Sequence, residues 1–171
     1  MFGTFPYPME LPMRRTMLSA ILLLSVVACG SDSGNSLTGT NPTGSGPLSA
    51  TIDGKAWASA VPAAIYRNNI VSIAGIDAAL TTTLSFAFAA TGPGTFSIAP
   101  GNQTGGLGLV VKTGATSQTW GSALTGGSGS VTLTTLTANH VVGTFAFDAV
   151  PSGGGATGTV HVTGGKFDIT F

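Results

Sequence analysis

The chain has 171 residues, enough for one domain with a processed end. Charged side chains make up 7% of it and the formal net charge is zero. It therefore has neither the basic surface that nucleic acid requires nor a field to steer an ionic partner. Glycine occurs 26 times, and the abundance of Gly, Thr and Ser suits turns and short strands over helices.

The N-terminal stretch reads as an export signal. Arg14 and Arg15 precede an uncharged run at residues 17–28, and Cys29 follows directly. The run is 12 residues long, well short of the roughly 20 that a spanning helix needs. Cys29 is the only cysteine, so no internal disulfide exists, and its position accounts for it. Val26-Val27-Ala28-Cys29 resembles the lipobox of bacterial lipoproteins. The resemblance implies diacylglycerol on the Cys29 sulfur, cleavage after Ala28, and usually a further acyl chain on the new amine. Residues 1–12 hold three prolines, one glutamate and no basic residue, an unusual beginning for such a signal, so translation is expected to start at Met13.

Residues 30–47 carry one charge, Asp32, and one large apolar residue, Leu37, in a Gly/Ser-rich background. That is linker composition, and 18 such residues span roughly 25 Å as a flexible coil. Gly30 and Ser31 follow the cysteine, in place of the Asp that retains enterobacterial lipoproteins in the inner membrane. The expected location is thus the outer membrane, with residues 1–28 as signal peptide, 29–47 as lipidated cysteine and spacer, and 48–171 as one β domain.

From Leu48 onward, short alternating runs are separated by Gly, Pro, Asn and Asp, which points to an antiparallel β-sandwich, with an antiparallel barrel as the alternative. The strands look too short for a membrane-spanning barrel, which needs about 9–11 residues per strand. Asp53-Gly54 signals a type I′ turn that pairs Ile52 with Lys55 and Ala50 with Trp57, placing Leu48, Ala50, Ile52 and Trp57 on one face. Phe86, Phe88, Phe96 and Ile98 continue the inward period. A three-residue loop ending at a left-handed Asn139 pairs Val131 with Phe145 and Leu133 with Gly143. Gly164-Gly165 reads as the turn of a last hairpin, which pairs Val162 with Phe167, Val160 with Ile169 and, on the outward face, His161 with Asp168.

Three segments carry a family resemblance: residues 50–57 with Thr51, Asp53, Gly54 and Trp57; 143–147 with Gly143, Phe145 and Phe147; and 163–169 with Gly165, Lys166 and Phe167. They resemble uncharacterised bacterial lipoproteins that begin T-[IV]-D-G-x-x-W and close with G-x-F-x-F and G-K-F strands. The resemblance implies an exported β domain and no particular activity.

Little in the sequence points to catalysis. After Cys29 the acids are Asp32, Asp53, Asp77, Asp148 and Asp168, none with a close carboxylate partner as paired-carboxylate hydrolysis requires. His140 and His161 sit in no metal-ligand spacing. The His161/Asp168 pairing offers half of a Ser-His-Asp arrangement, but no G-x-S-x-G elbow accompanies it, so a plain cross-strand polar pair is expected. Residues 101–108 are glycine-rich yet lack the Lys-Ser/Thr ending of a phosphate loop and precede an apolar strand. No catalytic residue, cofactor or metal is expected. Trp120, flanked by polar residues and glycine, is the one candidate ligand-binding residue, either as an exposed platform for a glycan or as an edge residue capping the core. The expected function is a lipid-anchored, non-enzymatic envelope lipoprotein of structural or interaction role, with the membrane and an envelope protein or glycan as partners. The alternative is binding of a carbohydrate or other small ligand.

Overall fold

The computed structural model describes residues 47–101 and 106–171, and every regular element among them is a β-strand. β1 (Leu48–Ile52) and β2 (Lys55–Ala58) form the expected hairpin, with Ile52 opposite Lys55 and Ala50 opposite Trp57. Asp53 and Gly54 adopt φ of 50° and 77°, the left-handed pair a type I′ turn demands. A second such turn, at Asn68 and Asn69 with φ of 51° and 61°, joins β3 (Ala63–Arg67) to β4 (Ile70–Ile76). Asn accepts this region because its short polar side chain offsets the steric cost locally.

The remaining strands are β5 (Thr82–Ala89), β6 (Gly94–Ser97), β7 (Leu107–Lys112), β8 (Gln118–Gly121), β9 (Ser128–Leu136), β10 (His140–Gly153) and β11 (Val160–Thr170). All pairings are antiparallel, and the sheet runs β2-β1-β11-β10-β8-β7-β5-β4-β3, with β9 also on β10 and β6 on β9. β10 is the hinge of this arrangement. Residues 140–149 pair with β11, whereas residues 150–153 pair with β8, so one strand serves both halves of a sheet that curls into a half-barrel.

The inner faces of the two halves meet in an aromatic core. Phe86 on β5 lies 4.5 Å from Phe145 and 5.7 Å from Phe167, ring to ring, and Phe88 lies 5.3 Å from Phe96. Leu48, Ile73, Leu84, Ile98, Val110 and Ile169 are fully buried around them. Each such side chain contributes about 1.5–3 kcal/mol when withdrawn from water, so the core holds the half-barrel without a disulfide.

Three expectations are corrected. Residues 160–170 are one continuous strand, not a hairpin. Gly164, at φ 59°, makes a bulge: Phe145 pairs with Gly165, then Phe147 with Val162, and the register shifts between them. In the β9–β10 hairpin, Val131 meets Phe145 and Leu133 meets Gly143 as expected. Nearer the loop, however, Leu136 meets Val141 and the register is displaced by one residue. The Thr137 amide closes that loop onto the His140 carbonyl at 2.9 Å, and Asn139 stays out of the left-handed region. Strand length was also underestimated, since β9, β10 and β11 reach 9, 14 and 11 residues. Their outward positions carry mainly Ser, Thr, His, Asp and Lys, with Val142, Ala146 and Val150 of β10 as apolar members and no continuous apolar band.

Candidate functional site

The period of two that drives Phe145, Phe147, Val162 and Phe167 inward sends His140, Thr144 and Asp148 of β10 outward, beside His161, Lys166 and Asp168 of β11. β9 adds Ser128, Ser130 and Thr132 to the same face. Among the described residues, His140, Asp148, His161, Lys166 and Asp168 thus collect on one side of adjacent strands, whereas Asp53, Lys55, Arg67, Asp77 and Lys112 lie elsewhere.

Both histidines there are engaged by carboxylates, and His161 pairs with Asp148 rather than with the expected Asp168. His161 Nδ1 lies 2.6 Å from Asp148 Oδ1, across the β10–β11 ladder. Asp148 Oδ2 accepts the Ser128 hydroxyl at 3.0 Å. At the far end His140 Nε2 lies 2.7 Å from Asp168 Oδ1. With no hairpin at Gly164-Gly165, His161 and Asp168 are separated along a single strand by about 23 Å, at ~3.3 Å per residue. The His161 hydrogen bond, with that of Ser128, holds the Asp148 carboxyl below its ordinary pKa against slight burial. Ser128 donates to the carboxylate and not to the imidazole. The trio therefore has its acid in the middle and does not form the nucleophile–base–orienter chain of an acyl-transfer triad.

A polar chain continues from this end. Asp53 Oδ1 accepts the His161 amide at 2.9 Å, and Asp53 Oδ2 pairs with Lys112 Nζ at 2.9 Å. Lys112 also sits 5.1 Å above the Trp120 ring. Slight burial raises the Asp53 pKa, but the His161 amide and the Lys112 ammonium outweigh it and hold the group below its ordinary value. This chain ties the β1–β2 turn to β7 and β8 of the other half-sheet.

Two open hollows lie on the same face. One, of about 300 Å³, is bordered by Ser130, Thr132, Thr144 and Lys166; the other, of about 320 Å³, by Pro47, Val142, Thr144, Phe167 and Lys166. They meet at Thr144 and Lys166. Among the described residues, no three His, Cys, Asp or Glu side chains converge as metal ligands.

Trp120 is not the exposed platform that its polar neighbours suggested. It is 4% exposed and sits on β8 between β7 and β10. Its Nε1–H donates to the carbonyls of Gly158 at 3.0 Å and Thr157 at 3.3 Å. Its partner in the inward alternation is Ser122, fully buried and polar, which hides the period from a hydropathy reading. Cys29, Met13 and the spacer up to residue 46 lie outside the described residues, as do residues 102–105 of the glycine-rich loop.

These features define an all-β antiparallel domain, built on a curled sheet, with a polar face on its outer side. Residues 45–168 match the family described as a domain of unknown function (DUF6252), and the chain belongs to that family. No curated protein and no solved structure matches it.

Proposed function

We propose that this chain is a lipid-anchored, non-enzymatic lipoprotein of the cell envelope, tethered to the outer membrane, with its β domain acting as an interaction module. The observation that carries the reading is the succession Arg14-Arg15, the uncharged run 17–28, Cys29 and an 18-residue polar spacer. Acyl burial contributes about 0.8 kcal/mol per methylene, and two or more chains give stable anchoring that a domain of net charge near zero would not achieve alone. The non-enzymatic part is supported by the packing: the core is filled, the hollows are open and shallow, and Ser128 is bonded to the wrong partner for a nucleophile. Full burial of Trp120 moves any ligand reading from that residue to the outward face of β9, β10 and β11.

The test is Cys29→Ala in the native host, followed by fractionation. The variant is expected to leave the carbonate-washed membrane fraction and to lose incorporation of labelled fatty acid. Persistence in that fraction at the wild-type level would show that something other than an acyl anchor holds the protein.

A further inference from the structure

We propose that the outward face of β9, β10 and β11 binds a sparsely charged acidic glycan, with Lys166 taking a carboxylate of the sugar chain and Thr144, Thr132 and Ser130 its hydroxyls. This rests on the interaction role above and supplies the chemistry of the partner.

Lys166 carries the argument. Its cross-strand neighbours are Ser49 and Thr144, both neutral, and among the described residues it enters no ion pair. The acids that share its face are already engaged: Asp168 with His140, and Asp148 with His161 and Ser128. The other lysine placed at a sheet junction, Lys112, is committed to Asp53 and the Trp120 ring. An exposed ammonium is thus left at the point where two hollows meet, with no internal carboxylate claiming it.

The relief around Lys166 comes from small residues. On the outer face Gly164 of β11 leaves open space where a side chain would stand and Ala146 of β10 presents only a methyl group, whereas Gly143 and Gly165 face the core rings. The trough is lined by hydroxyls at one end and by the carbon surfaces of Pro47 and Val142 at the other. A sugar chain presents both kinds of surface, hydroxyls at its ring edges and C–H groups on its faces. An apolar ligand would strip water from Lys166 and three hydroxyls without replacing those bonds, at a cost of about 1–3 kcal/mol for each neutral polar group. A bare anion would use Lys166 and leave the rest of the trough idle. A densely charged polyanion would meet Asp148 and Asp168 at the two ends of the face, and like charges repel. What remains is a hydroxyl-rich chain bearing a well-spaced single negative charge.

The experiment uses the full-length acylated protein in neutral detergent micelles, titrated with a neutral xylo-oligosaccharide bearing one glucuronate and with the same oligomer methyl-esterified at that carboxylate. The acid form is expected to bind and the ester to bind at least tenfold more weakly. Lys166→Gln is expected to lower affinity for the acid form about tenfold, the scale of one charge-assisted hydrogen bond, with an unchanged unfolding midpoint. Thr144→Val, which preserves shape and strand preference, is expected to lower affinity for both forms. Raising salt should weaken the acid form only. Equal binding of acid and ester, full affinity in Lys166→Gln, inorganic phosphate competing as well as the oligomer, or no binding of the acid form would each overturn the proposal. Cys29→Ala should bind the oligomer like the wild type, so loss of anchoring and loss of glycan binding are read separately.

Discussion

The ring of Phe145 on β10 occupies the space that a side chain on Gly165 of β11 would need: a Cβ there would lie 2.6 Å from three ring carbons. Two pairs along the ladder the roles reverse, and Phe167 of β11 covers Gly143 of β10, where a Cβ would lie 2.7 Å from the ring. Each aromatic ring lies over the bare backbone of its partner strand, so two large residues fit where the curl brings the half-sheets together. Gly165→Ala is therefore expected to destabilise the domain by about 1–3 kcal/mol through overpacking, seen as a lower urea midpoint at constant slope. Adding Phe145→Leu should recover part of that loss, because the two residues share one space. A double variant no more stable than the sum of its singles would refute the shared-space account.

The same ladder shows which parts of the fold a sequence discloses. Asp53-Gly54 is a local instruction, and its register follows from two residues. Gly164-Gly165 is not local. A two-residue hairpin turn and a one-residue bulge shift the apolar alternation by the same step, so Val160, Val162, Phe167 and Ile169 face inward under either reading. The choice is made by β10, whose residues 140–149 offer a partner along nearly the whole of residues 160–170. Nothing within the segment announces that partner. The candidate face inherits the same ambiguity: the outward alternation of His161, Lys166 and Asp168 was legible, while their partners across the ladder were not. Trp120 was concealed by Ser122, the buried polar residue just after β8 that interrupts the apolar alternation.

Acid should loosen the junction at Asp53. Its folded-state pKa is depressed, so its contribution is fully present above the unfolded value of about 3.9 and is lost as pH falls through the folded pKa. Asp53→Asn keeps the left-handed turn preference and removes the charge. Because the pair with Lys112 is partly exposed and screened, the expected cost at pH 7 is only about 0.2–1 kcal/mol. That cost should shrink towards zero in melts at progressively lower pH, below about pH 4. A cost that stays constant down to pH 2.5 would assign the effect to the turn and not to the charge.

Trp120 can be watched directly in a Trp57→Phe background. Its buried indole is expected to emit at short wavelength and to resist acrylamide quenching until the chain unfolds. Oligosaccharide should leave this emission almost unchanged, since the trough at Lys166 is bordered by other residues. Red-shifted, readily quenched emission from the native protein would return Trp120 to the surface and revive it as a binding residue.

Ser122 offers the sharpest stability test, because a single hydroxyl serves two backbone groups in a dry environment. The residue is fully buried; its Oγ donates to the Ile98 carbonyl and accepts the Gly108 amide at 2.8 Å. Its own amide donates to the Gly108 carbonyl at 2.9 Å, so the residue after β8 is stitched to β7 on both sides of Gly108. Ser122→Ala removes the hydroxyl and leaves the Gly108 N–H and the Ile98 C=O without this partner. A buried unsatisfied group costs about 1–3 kcal/mol, and here two arise from one substitution. The loss is therefore expected to exceed that of a typical buried hydrogen bond, about 1 kcal/mol. It should also be local in its signature: hydrogen exchange at the Gly108 amide should accelerate more than at Leu84 or Val110, whose ladder bonds are untouched. Unchanged protection at Gly108 together with an unchanged unfolding midpoint would show that the hydroxyl does not hold these strands together.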